Sequence, residues 1–236
     1  MLKLYAGRAW RRANRILSRA WLRSQVKPGA DQWERYGVGH AAWWVLSDIE
    51  PGTIAYCGGV GVDATFDFAI AEEKGMQVHS FDPTPTSIAY MERENNGRVT
   101  FHPWGMLDRD ETMRFHAPAN PDHPNWFIEN LHGTDDYFEA ECYTIPSILE
   151  KLGHSEIELL KIDIEGSWAP VIDAMVRGGI FPRVLCVEFD SPAPILRVRK
   201  TVKQLQGAGY RLARRDKENC VFVRPASKGA GRKAAA

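Results

Sequence analysis

Three short segments hold the residues of this chain whose types and spacing suit chemistry. In Tyr56-Cys-Gly-Gly-Val-Gly-Val-Asp63 an apolar run ends in a glycine-rich loop. In Val78-His-Ser-Phe-Asp-Pro83 a second run ends on Asp82, 21 residues beyond Gly61. Glycines after one strand let backbone approach a ligand, and an acid at the end of the next accepts hydrogen bonds from ribose hydroxyls. The pair reads as a nucleoside site. The third segment, Leu159-Leu-Lys-Ile-Asp-Ile-Glu-Gly166, sets Lys161, Asp163 and Glu165 at alternate positions. On an extended strand these side chains line one side. Three ionisable groups in an apolar strand are costly to bury without a task or a partner. A purely structural Lys161–Asp163 pair is the plainer alternative.

The first loop also restricts the nucleoside. A dinucleotide site asks for a third glycine and a bare helix N-terminus facing the pyrophosphate. Here Asp63 stands where the helix begins, and a carboxylate repels phosphate even if it merely caps the helix. No lysine follows the glycines, which excludes a Walker-type phosphate cradle. An acid suits a cationic ligand better. S-adenosylmethionine offers a ribose, an ammonium and a sulfonium, and no phosphate; Asp63 then orders the loop or meets the ammonium.

Together with His102-Pro-Trp-Gly105 and Thr144-Ile-Pro-Ser-Ile-Leu149, these segments resemble the FkbM-type methyltransferases, relatives of the class I S-adenosylmethionine-dependent enzymes. The likeness runs from about Trp33 to Val223. It implies a Rossmann-like α/β fold with a mostly parallel, seven-stranded sheet whose last strand is antiparallel. It implies Gly58, Gly59 and Gly61 against the methionine and ribose portions of the cofactor and Asp82 on the ribose. Pro83 and Thr84 follow on the adenosine side, and Gly105 to Asp108 flank the adenine. Asp163 and Glu165 are the candidate general bases, with Glu188 behind them, for O-methylation of a small molecule or glycan hydroxyl. Ser167-Trp168 departs from the family's small residue and second acid, on the substrate side of the pocket. The alternative is a non-catalytic methyltransferase-like binding protein held at a membrane by its N-terminal helix. A nicotinamide-dependent oxidoreductase is disfavoured by Asp63 and the missing third glycine.

The elements that must position these residues alternate as a doubly wound sheet requires. Strands are expected at 53–57, 77–81, 98–102, 158–163 and 183–189, with a final hairpin at about 209–223. Helices are expected at 64–74, 85–95, 145–152, 168–178 and 195–207. Residues 103–138 break the alternation. Their Pro-rich run carries Trp126 and Phe127, which suit either a substrate-facing lid or a packed surface loop. Trp33, Tyr36, Trp43 and Trp44 suit a roof over the cofactor or plain core.

At 236 residues the length fits one α/β domain, taken as 31–223, between an N-terminal extension (1–30) and a basic tail (224–236) expected to be disordered. Cys57, Cys142, Cys186 and Cys220 show no paired spacing and sit in apolar or strand-like surroundings, which points to reduced buried thiols and a cytoplasmic protein. No Cys or His pair has metal-ligand spacing, so no metal is expected. The 30 basic and 30 acidic residues cancel, but residues 1–30 hold eight Lys or Arg and no acid, and the tail from Arg224 four more. The core is therefore acidic, which disfavours nucleic acid as a partner. On a helix Ala6, Ala9, Trp10, Ala13, Ile16, Leu17, Ala20 and Trp21 share one face, opposite Arg8, Arg11, Arg12, Arg15, Arg19 and Arg23. Residues 1–25 thus suit peripheral contact with an anionic membrane, or packing on their own domain with the arginines in water. Nothing in the sequence approaches a spanning segment of ~20 apolar residues.

Overall fold

The computed structural model describes residues 2–117, 134–164, 166–189 and 193–225, apart from the side chains of residues 2–6, 8, 9 and 11. A long helix, α1 (Leu2–Gln25), leads into a hairpin of β1 (Trp33–Tyr36) and β2 (Trp43–Leu46). The alternating part then begins: β3 (Ile54–Gly58), α2 (Thr65–Glu72), β4 (Gln77–Phe81), α3 (Pro85–Glu94) and β5 (Thr100–His102). A side sheet of β6 (Gly105–Met106), β7 (Glu111–His116) and β8 (Tyr137–Tyr143) follows. The chain returns through α4 (Ile145–Leu152), β9 (Leu159–Ile162), α5 (Trp168–Arg177), β10 (Val184–Glu188) and α6 (Ile195–Gly207). It closes with β11 (Arg211–Asp216) and β12 (Asn219–Val223).

The main sheet has seven strands in the order β11-β12-β10-β9-β3-β4-β5. β12 runs antiparallel to both neighbours, and the pairings among β10, β9, β3, β4 and β5 are parallel. This is the expected sheet, with the expected antiparallel last strand. Its central strands are buried on both faces, which is why they read as continuous apolar runs. Alternation along β3 sends Tyr56 to the α1/α4/α5/α6 side and Ala55 and Cys57 to the α2 side. All four cysteines are free, buried and in strands.

Local chemistry sets the helix ends. α3 and α4 use one device: a threonine N-cap, Thr84 or Thr144, accepts the amide of Ser87 or Ser147, and a proline sits in the first turn. Gly153 ends α4 in the left-handed conformation at φ 69°.

The structure settles three points that the sequence left open or missed. Residues 103–138, where no strand is expected, hold most of the side sheet of residues 105–106, 111–116 and 137–143. The Pro-rich run with Trp126 and Phe127 lies outside the described residues. The upstream aromatics are core: Trp43 and Tyr36 are buried, and Trp33 and Trp44 clasp Arg214 of β11, whose guanidinium carbon lies 5.2 and 4.0 Å from their ring centres. Finally, α1 packs on the domain with little of its apolar face: Trp21 is half-buried against the core, while Trp10, Ile16 and Leu17 are exposed. Ser18 and Leu22 are the buried residues, and Ser18 Oγ donates to Ala193 O at 3.0 Å. Asn14 Oδ1 accepts the amide of Ile195, the first residue of α6, at 3.2 Å. Asn14 does this because the docking site is a helix N-terminus with orphan amides to satisfy, while Ser18 donates to the carbonyl just ahead of that helix.

Candidate active site

The carboxyl edge of the central strands collects the chemistry. Gly58 closes β3, and a Cβ there would come within 2.7 Å of Met106 Sδ. Gly59 has φ 84°, and a Cβ on it would overlap the carbonyl oxygen of Asp163. Gly61 has φ 58° with nothing within 4 Å of where its Cβ would be. The loop is therefore pressed against β9 at Gly59 and open at Gly61, which leaves space on its outer side for a ligand.

Asp82 holds this loop. Its Oδ2 accepts the amides of Val60 (2.9 Å) and Gly61 (3.0 Å). Its Oδ1 accepts the amide (2.9 Å) and hydroxyl (2.7 Å) of Thr84. A carboxylate has about four lone-pair sites, and all are used within the chain. Pro83 and Thr84 are half-buried between Asp82 and the start of α3. Asp63 is exposed, and its Oδ1 accepts the amide of Thr65 at 2.9 Å, so the acid orders the start of α2.

The strand reading of Lys161, Asp163 and Glu165 needs correction. β9 ends at Ile162, so Asp163 sits in the turn beyond it, and Glu165 lies outside the described residues. Lys161 is buried on the α2 side of the sheet, in register between Cys57 and Cys186. Its Nζ donates to Gly59 O at 2.5 Å and lies 3.7 Å from Asp163 Oδ2. Burial works against its charge, but the carboxylates of Asp163 and Asp67 outweigh that and raise its pKa above the ordinary lysine value. Asp67 of α2 is itself buried, accepts Ser80 Oγ at 2.6 Å, and has its pKa raised by burial against the pull of Lys161. Lys161 therefore joins three elements: it grips the loop, faces Asp163 and neutralises Asp67. The lone acid between Phe66 and Phe68 was the signal for Asp67 in the sequence.

Gly105 belongs to the side sheet and Asp108 to the connection between β6 and β7. Gly105 is buried where a Cβ would come 2.5 Å from Cys142 Sγ, and half-buried Asp108 pairs with Arg109 at 3.2 Å. A stack of aromatic rings runs from the end of β4 through β5 to Trp104. Phe81 and His102 lie 4.8 Å apart and His102 and Trp104 4.7 Å, with Tyr143 set edge-on to Trp104 at 5.3 Å. The structure thus brings Gly58, Gly59, Gly61, Asp82, Thr84 and Asp163 into one network.

A parallel sheet in this order, its single reversed strand beside β10 and its glycine loop clasped by an acid at the carboxyl edge, defines a Rossmann-like methyltransferase fold. The family model described as Methyltransferase FkbM domain matches residues 54–212, from the first residue of β3 to the second of β11. The chain belongs to this methyltransferase family. Among curated proteins, none matches it.

Proposed function

We propose that this methyltransferase binds S-adenosylmethionine at the 58–63 loop and methylates a hydroxyl of a small molecule or glycan. The observation that carries this reading is the clasped loop, which offers backbone and carboxylate at one edge of the sheet. Lys161 is buried beneath the loop with its ammonium turned to Gly59 O rather than to a ligand phosphate. The residues fit the cofactor: Gly61 leaves space for it, Asp63 suits its ammonium, and Asp82 sets the loop against which its ribose rests.

When bound, the cofactor supplies a methyl carbon on a sulfonium, whose positive charge is lost during transfer. The protein's task is then alignment more than charge stabilisation. Gly59, fixed between Lys161 and Asp163, sets the height of the loop. Asp163 accepts the proton of the acceptor hydroxyl as its oxygen takes the methyl. Its carboxylate is about a quarter exposed at the sheet edge, within reach of solvent and acceptor.

The test is calorimetric titration with S-adenosylmethionine, S-adenosylhomocysteine and NAD. Binding of both adenosyl ligands, none of NAD, and loss in Asp82→Ala is the expected result. Absence of adenosyl binding by the wild-type chain overturns the reading and favours the non-catalytic alternative.

A further inference from the structure

α1 docks by the stripe of Asn14, Ser18 and Leu22, with Trp21 half-buried beside them, and this leaves the rest of its apolar arc turned outward. Trp10, Ile16 and Leu17 are 51, 57 and 56% exposed, and Ala13 and Ala20 between them are exposed as well. Arg12 and Arg23 are exposed on the flank of this arc. α6 lies alongside, tied by the Asn14–Ile195 hydrogen bond and by Arg199, whose guanidinium carbon stands 5.6 Å from the Trp21 ring. It adds Leu196, 75% exposed, and exposed Arg197, Arg199, Lys200 and Lys203. Neither residues 1–30 nor α6 contains an acid.

We propose that the outward face of α1, with the first turns of α6, docks on an anionic lipid surface. An apolar ridge edged by arginine and lysine is the form that seats in the headgroup region while its cations meet lipid phosphates. No helix among the described residues is long and apolar enough to cross a membrane, so the contact is peripheral. Charge selects this occupant over a second copy, because an isologous contact through this face would set arginines against arginines. α6 begins just beyond β10, so the lipid-facing end shares the sheet edge that holds the 58–63 loop.

The experiment is co-sedimentation of the full chain with vesicles of phosphatidylcholine alone, or of phosphatidylcholine and phosphatidylglycerol in equal parts. Binding should require phosphatidylglycerol and weaken as salt is raised. Two doubly substituted variants, Trp10→Glu/Leu17→Glu and Arg12→Glu/Arg23→Glu, alter only exposed side chains and should each lower the affinity by about tenfold or more. Their circular dichroism and melting should match the wild type. No binding to the mixed vesicles at low salt overturns the proposal, as does binding of both variants as tightly as the wild type. So does light scattering that shows a lipid-indifferent dimer broken by Trp10→Glu/Leu17→Glu, which assigns the face to a second copy.

Discussion

Gly59 and Gly61 look interchangeable in the sequence and are held for different reasons. Both take a positive φ, but only at Gly59 is the Cβ position filled, by the carbonyl of Asp163. Gly61→Ala should therefore cost about 1 kcal/mol, the strain of a left-handed alanine. Gly59→Ala should cost at least about 2 kcal/mol more, because the loop must lift off β9 and loses its bond from Lys161. Urea denaturation of the two variants checks this, and equal losses would contradict the close approach. The sequence showed that these glycines brought backbone near something. It did not show that for Gly59 the neighbour was the turn after β9 rather than a ligand, since that pairing joins residues about a hundred positions apart. Asp82 likewise was legible as an acid at a strand end. The four bonds it makes within the chain required the loop, β4 and α3 to meet.

The elements of the main sheet were readable because each carries its own local signal. Apolar runs bounded by glycine and polar turns gave the parallel strands, and Thr84-Pro85 and Thr144-Ile-Pro146 announced α3 and α4. The β1–β2 hairpin and β6 were missed because their strands are only two to four residues long. β7 and β8 do alternate, with Met113 and Phe115 and with Phe138, Ala140 and Cys142 in one small cluster, but the polar residues between them masked two strands that pair only with each other and with β6. α1 was foreseen as an amphipathic helix, but which face would dock was not. Its docking depends on Asn14 serving as the side-chain acceptor for the first amide of α6, so Asn14→Ala should lower stability by about 1 kcal/mol. It should also speed proteolytic release of residues 1–25. Unchanged stability and cleavage in Asn14→Ala would show that Ser18 and Leu22 suffice to hold the helix.

Across the molecule, three histidines from distant segments meet on the α4 side of the sheet. His79 Nδ1 lies 3.0 Å from His102 Nε2, and His154 Nδ1 lies 2.6 Å from the Tyr56 hydroxyl. Burial, and then the charges of His154 and His102, push His79 down to about 4 from an ordinary 6.5. Burial lowers His102 and His154 as well. A histidine whose folded pKa is depressed takes up its proton more readily when unfolded. Stability is then complete above the unfolded value and is lost as pH falls towards the folded one. The denaturation midpoint should drop between about pH 6.5 and about pH 4, and His79→Gln should flatten that slope. A slope identical in the two proteins would remove the cluster from the account. The histidines were scattered in the sequence, and only the order of β4 beside β5, with α4 packed on that face, gathers them.

By itself the sequence determined the sheet, its glycine loop, the acids that follow it and the lack of a Walker-type lysine after the glycines. These depend on residue type and short-range spacing, which one strand and one turn suffice to express. Tertiary structure decided the partners. It placed Lys161 under Gly59 instead of on an active-site face, gave Asp82 to the loop, and turned the apolar arc of α1 outward. Each of these outcomes is a choice among long-range contacts of similar chemistry. Such choices are settled by which buried charges and orphan amides the packed elements leave to be satisfied.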